Sequence, residues 1–277
     1  MQDESRFHLQ ISGPEQGRRW VFLHGLMGYA QNWRSLIRKL EVTDRCLAFD
    51  QRSHGRSFHA EAGHAPADYA ADLKEILHDL GWSEVILVGH SMGARVALDF
   101  ALDHPESLSH LVIEDMGPSE IAGHDVSGKS VSYYAELLAA VPTPFVSREA
   151  AKSFFAEEFA SRVHSKEKLE VLGQFLFSNL RENAKGEWDW QFSRTGILQS
   201  VEAGQTFRRW EELSQLKVPT LVIRGEKSLD LTKGAFDTML AASPMIEGVE
   251  IPDAGHWVHF DQPTYMLDAL LRFIAKR

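Results

Sequence analysis

The sequence predicts an α/β protein, a mostly parallel, doubly wound sheet interrupted by a helical insertion. Three observations carry this. Short apolar runs alternate with amphipathic runs as far as residue 117. The alternation stops between Pro118 and Trp210 and then resumes. Glycines and polar residues gather just after several of the apolar runs, at the carboxyl ends where open α/β sheets collect catalytic groups.

Phe7-His8-Leu9-Gln10-Ile11 alternates at period two and reads as an antiparallel edge strand. Trp20–Leu23, Cys46–Phe49, Val85–Val88 and Leu111–Ile113 are continuous apolar runs, suited to strands buried on both faces of a parallel sheet. Asn32–Leu40, Ala67–Leu80 and Met92–Leu102 between them read as helices. Gly81 ends the second and Pro105 closes the third. In the middle region Ser147 caps a helix bearing Ala151, Phe155, Phe159 and Val163. Ser165 caps another bearing Leu169, Leu172, Leu176 and Leu180. Trp188–Phe192 alternates and reads as a short extended segment. The α/β pattern returns with strand Thr220–Ile223, helix Gly234–Ala242, strand Val249–Ile251 and helix Thr264–Ala275, which Pro263 starts favourably. The division expected is a core of residues 1–117 and 211–277 with a helical cap of residues 118–210.

At 277 residues the chain can bury a large core, and with 44% hydrophobic and 25% charged residues it reads as globular. A net charge of −10, without a basic stripe, argues against a nucleic-acid partner. One cysteine, Cys46, excludes a disulfide framework and reads as a small core residue. The first residues carry neither a basic nor an apolar leader region, and no stretch approaches a membrane span. The expected location is cytoplasmic.

Gly89-His90-Ser91-Met92-Gly93 lies between a buried-type strand and a helix. This G-x-S-x-G turn lifts a serine hydroxyl above the sheet edge. Side chains at the flanking glycines would collide with the neighbouring strand or helix. A serine hydroxyl needs a base in hydrogen-bonding reach, and the base needs an orienting acid. Of 13 histidines, His256 is the candidate base, in the Asp253-Ala254-Gly255-His256-Trp257 loop between the last strand and last helix. His259 reads as a packing or surface residue. His90, beside the nucleophile, is expected to point away. For the acid, position 228 is where hydrolases of this architecture most often place it, but Ser228 cannot hold an imidazolium by charge. Asp115 at the end of the Leu111–Ile113 strand is the first choice. Asp230, Glu226 and Glu114 remain open, and a loop-capping role for Asp115 is the alternative. Backbone N–H groups of Leu26, in His24-Gly25-Leu26-Met27-Gly28, and of Met92 are the candidate oxyanion donors, worth roughly 2.7–4 kcal/mol each in the barrier. His24 reads as a structural residue under that loop. Asp50–Ser57 reads as a polar turn bracing the rim, in preference to a metal site at His54, His59 and His64.

Together these residues resemble the α/β-hydrolase superfamily. The likeness covers nearly the whole chain outside the insertion. It rests on His24-Gly25, the Asp50–Ser57 loop, the Gly89–Gly93 elbow and Gly255-His256, in that order. Within the superfamily the chain looks like small bacterial serine esterases of the YbfF type. That likeness adds Asn32-Trp33, Arg52-Ser53-His54-Gly55, Glu114-Asp115-Met116-Gly117-Pro118 and Trp257-Val258-His259. Ser53 departs from it, since the family usually has Asn there. The resemblance implies an acid after the family's sixth strand, which points to Asp115, and a helical cap.

The expected activity is hydrolysis of carboxylic esters, or acyl thioesters, of small to medium apolar acyl groups, through an acyl-enzyme and without cofactor or metal. The expected partner is a small-molecule ester. Perhydrolysis, C–C bond hydrolysis and a triad-retaining small-molecule sensor are the alternatives. Dehalogenase chemistry wants an aspartate at position 91. In the insertion, Phe154, Phe155, Phe175, Phe177, Trp188 and Trp190 read either as an acyl pocket or as the insertion's own core.

Overall fold

The structure, a computed structural model, describes residues 6–119, 129–164 and 169–276. Among them a seven-stranded sheet forms the centre. In chain order it comprises β1 (Leu9–Ser12), β2 (Arg19–Leu23), β3 (Arg45–Phe49), β4 (Val85–His90) and β5 (Leu108–Glu114). It is completed by β8 (Thr220–Gly225) and β9 (Ile246–Ile251), and the spatial order is β1-β3-β2-β4-β5-β8-β9. Only β1 is antiparallel, paired with β3 from Leu9–Phe49 to Ser12–Cys46. Every residue of β4 is buried, as a central parallel strand covered on both faces requires.

The two faces of the sheet take different side chains from the same strand. Val21 and Leu23 of β2 join one apolar cluster, packed by α2 (Pro66–Asp79), α3 (Met92–Asp103) and α9 (Lys233–Ala242). Trp20 and Phe22 join the other, packed by α1 (Arg34–Leu40) and α11 (Pro263–Ile274). Fully burying each such side chain contributes about 1.5–3 kcal/mol, so the two layers hold the sheet rigid beneath its loops. The chain runs outward from β2 to β3, then crosses back to β4. The strand order therefore reverses between β2 and β4, and the loops after those two strands diverge over a crevice.

Between β5 and β8 lie α4 (Val131–Ala140), α5 (Arg148–Glu157), α6 (Phe159–Arg162), α7 (Leu169–Ser178), the antiparallel pair β6 (Leu180–Glu182) and β7 (Trp188–Trp190), and α8 (Arg194–Gln205). These elements bury a third apolar cluster, into which Met27 of the loop after β2 also packs. Ser147 caps α5 by accepting from the Ala150 N–H. The four-residue spacing from Ala151 to Val163 predicts one helix, but the backbone breaks at Glu158 (φ −112°) and a separate short turn follows. Leu172 and Leu176 of α7 are buried as the spacing predicts, while the Ser165 cap lies outside the described residues. The short helix α10 (Val258–Asp261) precedes α11. Among the described residues no helix is long and apolar enough to cross a membrane.

Candidate active site

The Ser91 backbone is in a left-handed region (φ 54°, ψ −119°), a conformation that costs of order 1–3 kcal/mol and persists only where its surroundings impose it. Two close approaches impose it here. A Cβ at Gly89 would stand 2.2 Å from the Gly93 carbonyl oxygen, and one at Gly93 would stand 2.5 Å from the Leu23 carbonyl oxygen. Only glycine lets the turn fold this tightly against both α3 and the end of β2. The turn leaves Ser91 at the N-terminus of α3, with its N–H donating to the Glu114 carbonyl at 3.1 Å.

His256 brings its Nε2 to 2.9 Å from the Ser91 Oγ and its Nδ1 to 2.8 Å from the Asp115 Oδ2. With the Nδ1 proton held by Asp115, Nε2 is left to accept the serine proton. Asp115 is itself in a left-handed conformation (φ 53°), which turns its carboxylate off the end of β5 toward the next loop. There its Oδ1 accepts from the Gly225 N–H at 2.9 Å, and its Oδ2 accepts from the Ser228 hydroxyl. Ser228 thus contacts the carboxylate that faces His256.

Asp230 also faces the histidine, 3.5 Å from Nδ1, while both its oxygens accept from the Lys129 ammonium at 2.9 and 2.8 Å. Burial pushes the His256 pKa down, but Asp230 and the hydrogen bond to Asp115 outweigh this and raise it above the ordinary histidine value. Burial alone would push the Asp230 carboxyl up, and the charges of His256, Lys129 and Arg95 turn the shift downward.

Behind these groups lies a buried set that sequence reading did not assemble. His90 donates from Nε2 to the His256 carbonyl at 2.9 Å, so its ring anchors the loop that carries His256. His259 donates from its N–H and Nδ1 to Glu114, at 2.8 Å each to Oε1, and stacks on Trp33 at 4.4 Å between ring centroids. Glu114, considered as an acid, serves this second contact. Its signal in the sequence was the Glu114-Asp115 pair, whose neighbouring carboxylates leave β5 in different directions. Glu226 accepts from the Asp253 N–H in an exposed turn.

The loop after β2 is braced from below. His24 accepts the Gln51 N–H at Nε2 (3.0 Å) and donates to the Gly25 carbonyl (2.8 Å). His54 accepts the Met27 N–H at 3.2 Å, which fixes the left-handed Met27 (φ 59°) beside Leu26. Burial lowers the two histidines to about 4 and about 3, so both act as neutral braces. Ser53 is left-handed too (φ 63°), and its hydroxyl pairs with His64 Nε2 at 2.8 Å.

Ser91 opens onto two cavities. The larger, about 430 Å³, is lined by Leu26, Met92, Arg95, Lys129 and Asp230 among others. The smaller, about 210 Å³, is lined by Leu137, Leu172, Phe175 and Trp257. Leu26 borders both. Of the six aromatic residues weighed for a pocket, Phe175 alone lines either cavity, and Phe154 and Trp190 are buried in the third apolar cluster. Among the described residues two groups bring metal-ligating atoms together, His90–Glu114–His259 and Asp115–Asp230–His256. In both, hydrogen bonds within the protein already occupy these donors.

Residues 21–263 match the family model for the alpha/beta hydrolase fold. The chain is 31% identical over 261 residues to the sn-1-specific diacylglycerol lipase ABHD11 of Mus musculus, covering 92% of this chain and 80% of that protein. It is 28% identical to esterase YbfF of Escherichia coli, covering 92% of each. Among solved structures it resembles a marine microorganism esterase, with TM-score 0.79 and 26% identity over 96% of this chain and 98% of that one. A family match across most of the chain, together with a serine turn at the reversal point of a mostly parallel sheet, makes the protein a member of the α/β-hydrolase superfamily.

Proposed function

We propose that the protein is a serine esterase, in which Ser91 attacks the carbonyl carbon of a carboxylic ester. His256 takes the serine proton at Nε2 and returns it to the departing alcohol oxygen. Asp115 holds the Nδ1 proton and stabilises the imidazolium formed between those steps. The N–H groups of Leu26 and Met92 receive the negative oxygen of the tetrahedral intermediate. Water, activated by the same histidine, then releases the acid and restores Ser91. The reaction is complete with these groups.

The observation that carries the reading is the unbroken line of contacts from Ser91 Oγ through His256 to Asp115, at 2.9 and 2.8 Å. Such a line converts a weak nucleophile into a strong one. Relatives with esterase and lipase names support the ester as the bond cleaved. The smaller cavity, walled by Leu137, Leu172, Phe175 and Trp257, suits an apolar acyl group of small to medium length. Residues 118–210 act as a cap over a core formed by residues 1–117 and 211–277. The third apolar cluster, separate from the two sheet faces, supports that division.

Purified protein is expected to release p-nitrophenol from short acyl esters, and Ser91→Ala to abolish the release. Binding of such esters without turnover would instead favour a sensor.

A further inference from the structure

The larger cavity contains an unusual cation. Arg95 projects from α3 into this cavity, four residues beyond Ser91. Its Nε donates to the Gly117 carbonyl at 3.0 Å and its Nη1 to the Gly204 carbonyl at 2.9 Å. Among the described residues it forms no salt bridge, and its Nη2 makes no hydrogen bond. The residue keeps part of its surface open and lines the cavity. Burial lowers its pKa to about 10, which still leaves it charged at neutral pH. A guanidinium taken out of bulk water without a carboxylate is costly, and an anion supplied by a ligand offsets that cost.

The neighbouring charges leave room for one negative group. Lys129 and Asp230 both line the cavity and satisfy one another. Asp230 acts on Arg95 through its field without touching it, so among the described lining residues Arg95 is a cation with no carboxylate in contact. The two carbonyl contacts fix the guanidinium plane before any ligand arrives.

We infer that the larger cavity binds a singly charged carboxylate on the alcohol portion of the substrate, held by Arg95, while the apolar acyl group occupies the smaller cavity. The assignment of the two portions rests on the esterase reading above; the anion site rests on the cavity alone.

Three esters test it. These are p-nitrophenyl butanoate, the same ester with a carboxylate beside the nitro group of the leaving phenol, and mono-p-nitrophenyl succinate, which carries its carboxylate on the acyl side. The expected kcat/KM for the leaving-group carboxylate exceeds that of the neutral ester on the order of tenfold, mainly through KM. The preference falls toward unity in Arg95→Gln and is partly kept in Arg95→Lys. A ratio at or below one in the wild type overturns the proposal, and a preference for the succinate ester overturns the assignment of portions. Loss of the carbonyl contacts can unfold Arg95→Gln, so calorimetric binding of the carboxylated nitrophenol to Ser91→Ala provides a readout independent of turnover. Tighter binding than p-nitrophenol supports the site, and equal affinity overturns it. Failure to cleave any of the three esters, with the carboxylated phenol still preferred, removes the esterase reading and leaves the anion site standing.

Discussion

The Ser228 hydroxyl donates to the Asp115 carboxylate, on the same oxygen that faces His256 Nδ1. Position 228 is where hydrolases of this architecture most often carry the acid. Here the proposed acid, Asp115, comes from the end of β5, and position 228 supplies a hydrogen bond to it. A bond to a charged group is worth about 1.5–3 kcal/mol, so Ser228→Ala is expected to reduce kcat roughly 10- to 100-fold with little change in KM. Steady-state kinetics on p-nitrophenyl butanoate checks this.

The two carboxylates near His256 are predicted to differ in kind. Asp115 contacts Nδ1 at 2.8 Å, with two further donors fixing its orientation. Asp230 stands at 3.5 Å and is committed to Lys129. Asp115→Asn removes the acceptor that sets the tautomer and is expected to lower kcat by roughly 10³–10⁴. Asp230→Asn removes only a nearby charge and is expected to cost roughly tenfold. The reverse ranking of kcat would make Asp230 the acid.

The pH profile follows from the same pair. His256 accepts a proton only when neutral, and its pKa is raised above the ordinary value by Asp230 and Asp115 against the effect of burial. Activity is therefore lost as pH falls through that raised pKa, and the acidic limb of kcat/KM lies above 6.5, the ordinary histidine value. Asp230→Asn removes one stabilising charge and leaves Lys129 beside the imidazole, so the limb shifts to lower pH. An unchanged limb would show that Asp230 does not act on the base.

Much of this arrangement was legible in local sequence. Continuous apolar runs marked β2, β3, β4, β5 and β8 because strands covered on both faces lose the alternation that a half-exposed strand keeps. Gly89 and Gly93 marked the serine turn because they flank a residue forced into a left-handed conformation. The insertion was less legible. Its apolar residues pack into one small cluster with short helices, so four-residue spacing ran through the break at Glu158 and did not mark α4 or α8. The contacts of Ser228 with Asp115, of His90 with His256, and of His259 with Glu114 span more than 100 residues each, and no local pattern encodes them.

Gly93, at the tight turn that opens α3, differs sharply from Gly234 of α9. A Cβ at Gly93 would meet the Leu23 carbonyl oxygen at 2.5 Å, whereas one at Gly234 in α9 meets nothing within 4 Å. Gly93→Ala is expected to cost about 3 kcal/mol or more, and Gly234→Ala to gain up to about 1 kcal/mol from helix propensity and a less flexible unfolded chain. Thermal unfolding of both variants checks the contrast.

The central claim, that Ser91 is the nucleophile activated by His256, is tested most directly by intact-mass analysis and peptide mapping after treatment with a fluorophosphonate. The account predicts a single adduct on Ser91, concurrent loss of ester hydrolysis, no adduct in Ser91→Ala and strongly slowed labelling in His256→Ala. An adduct on another residue, or full hydrolysis by Ser91→Ala, would contradict it.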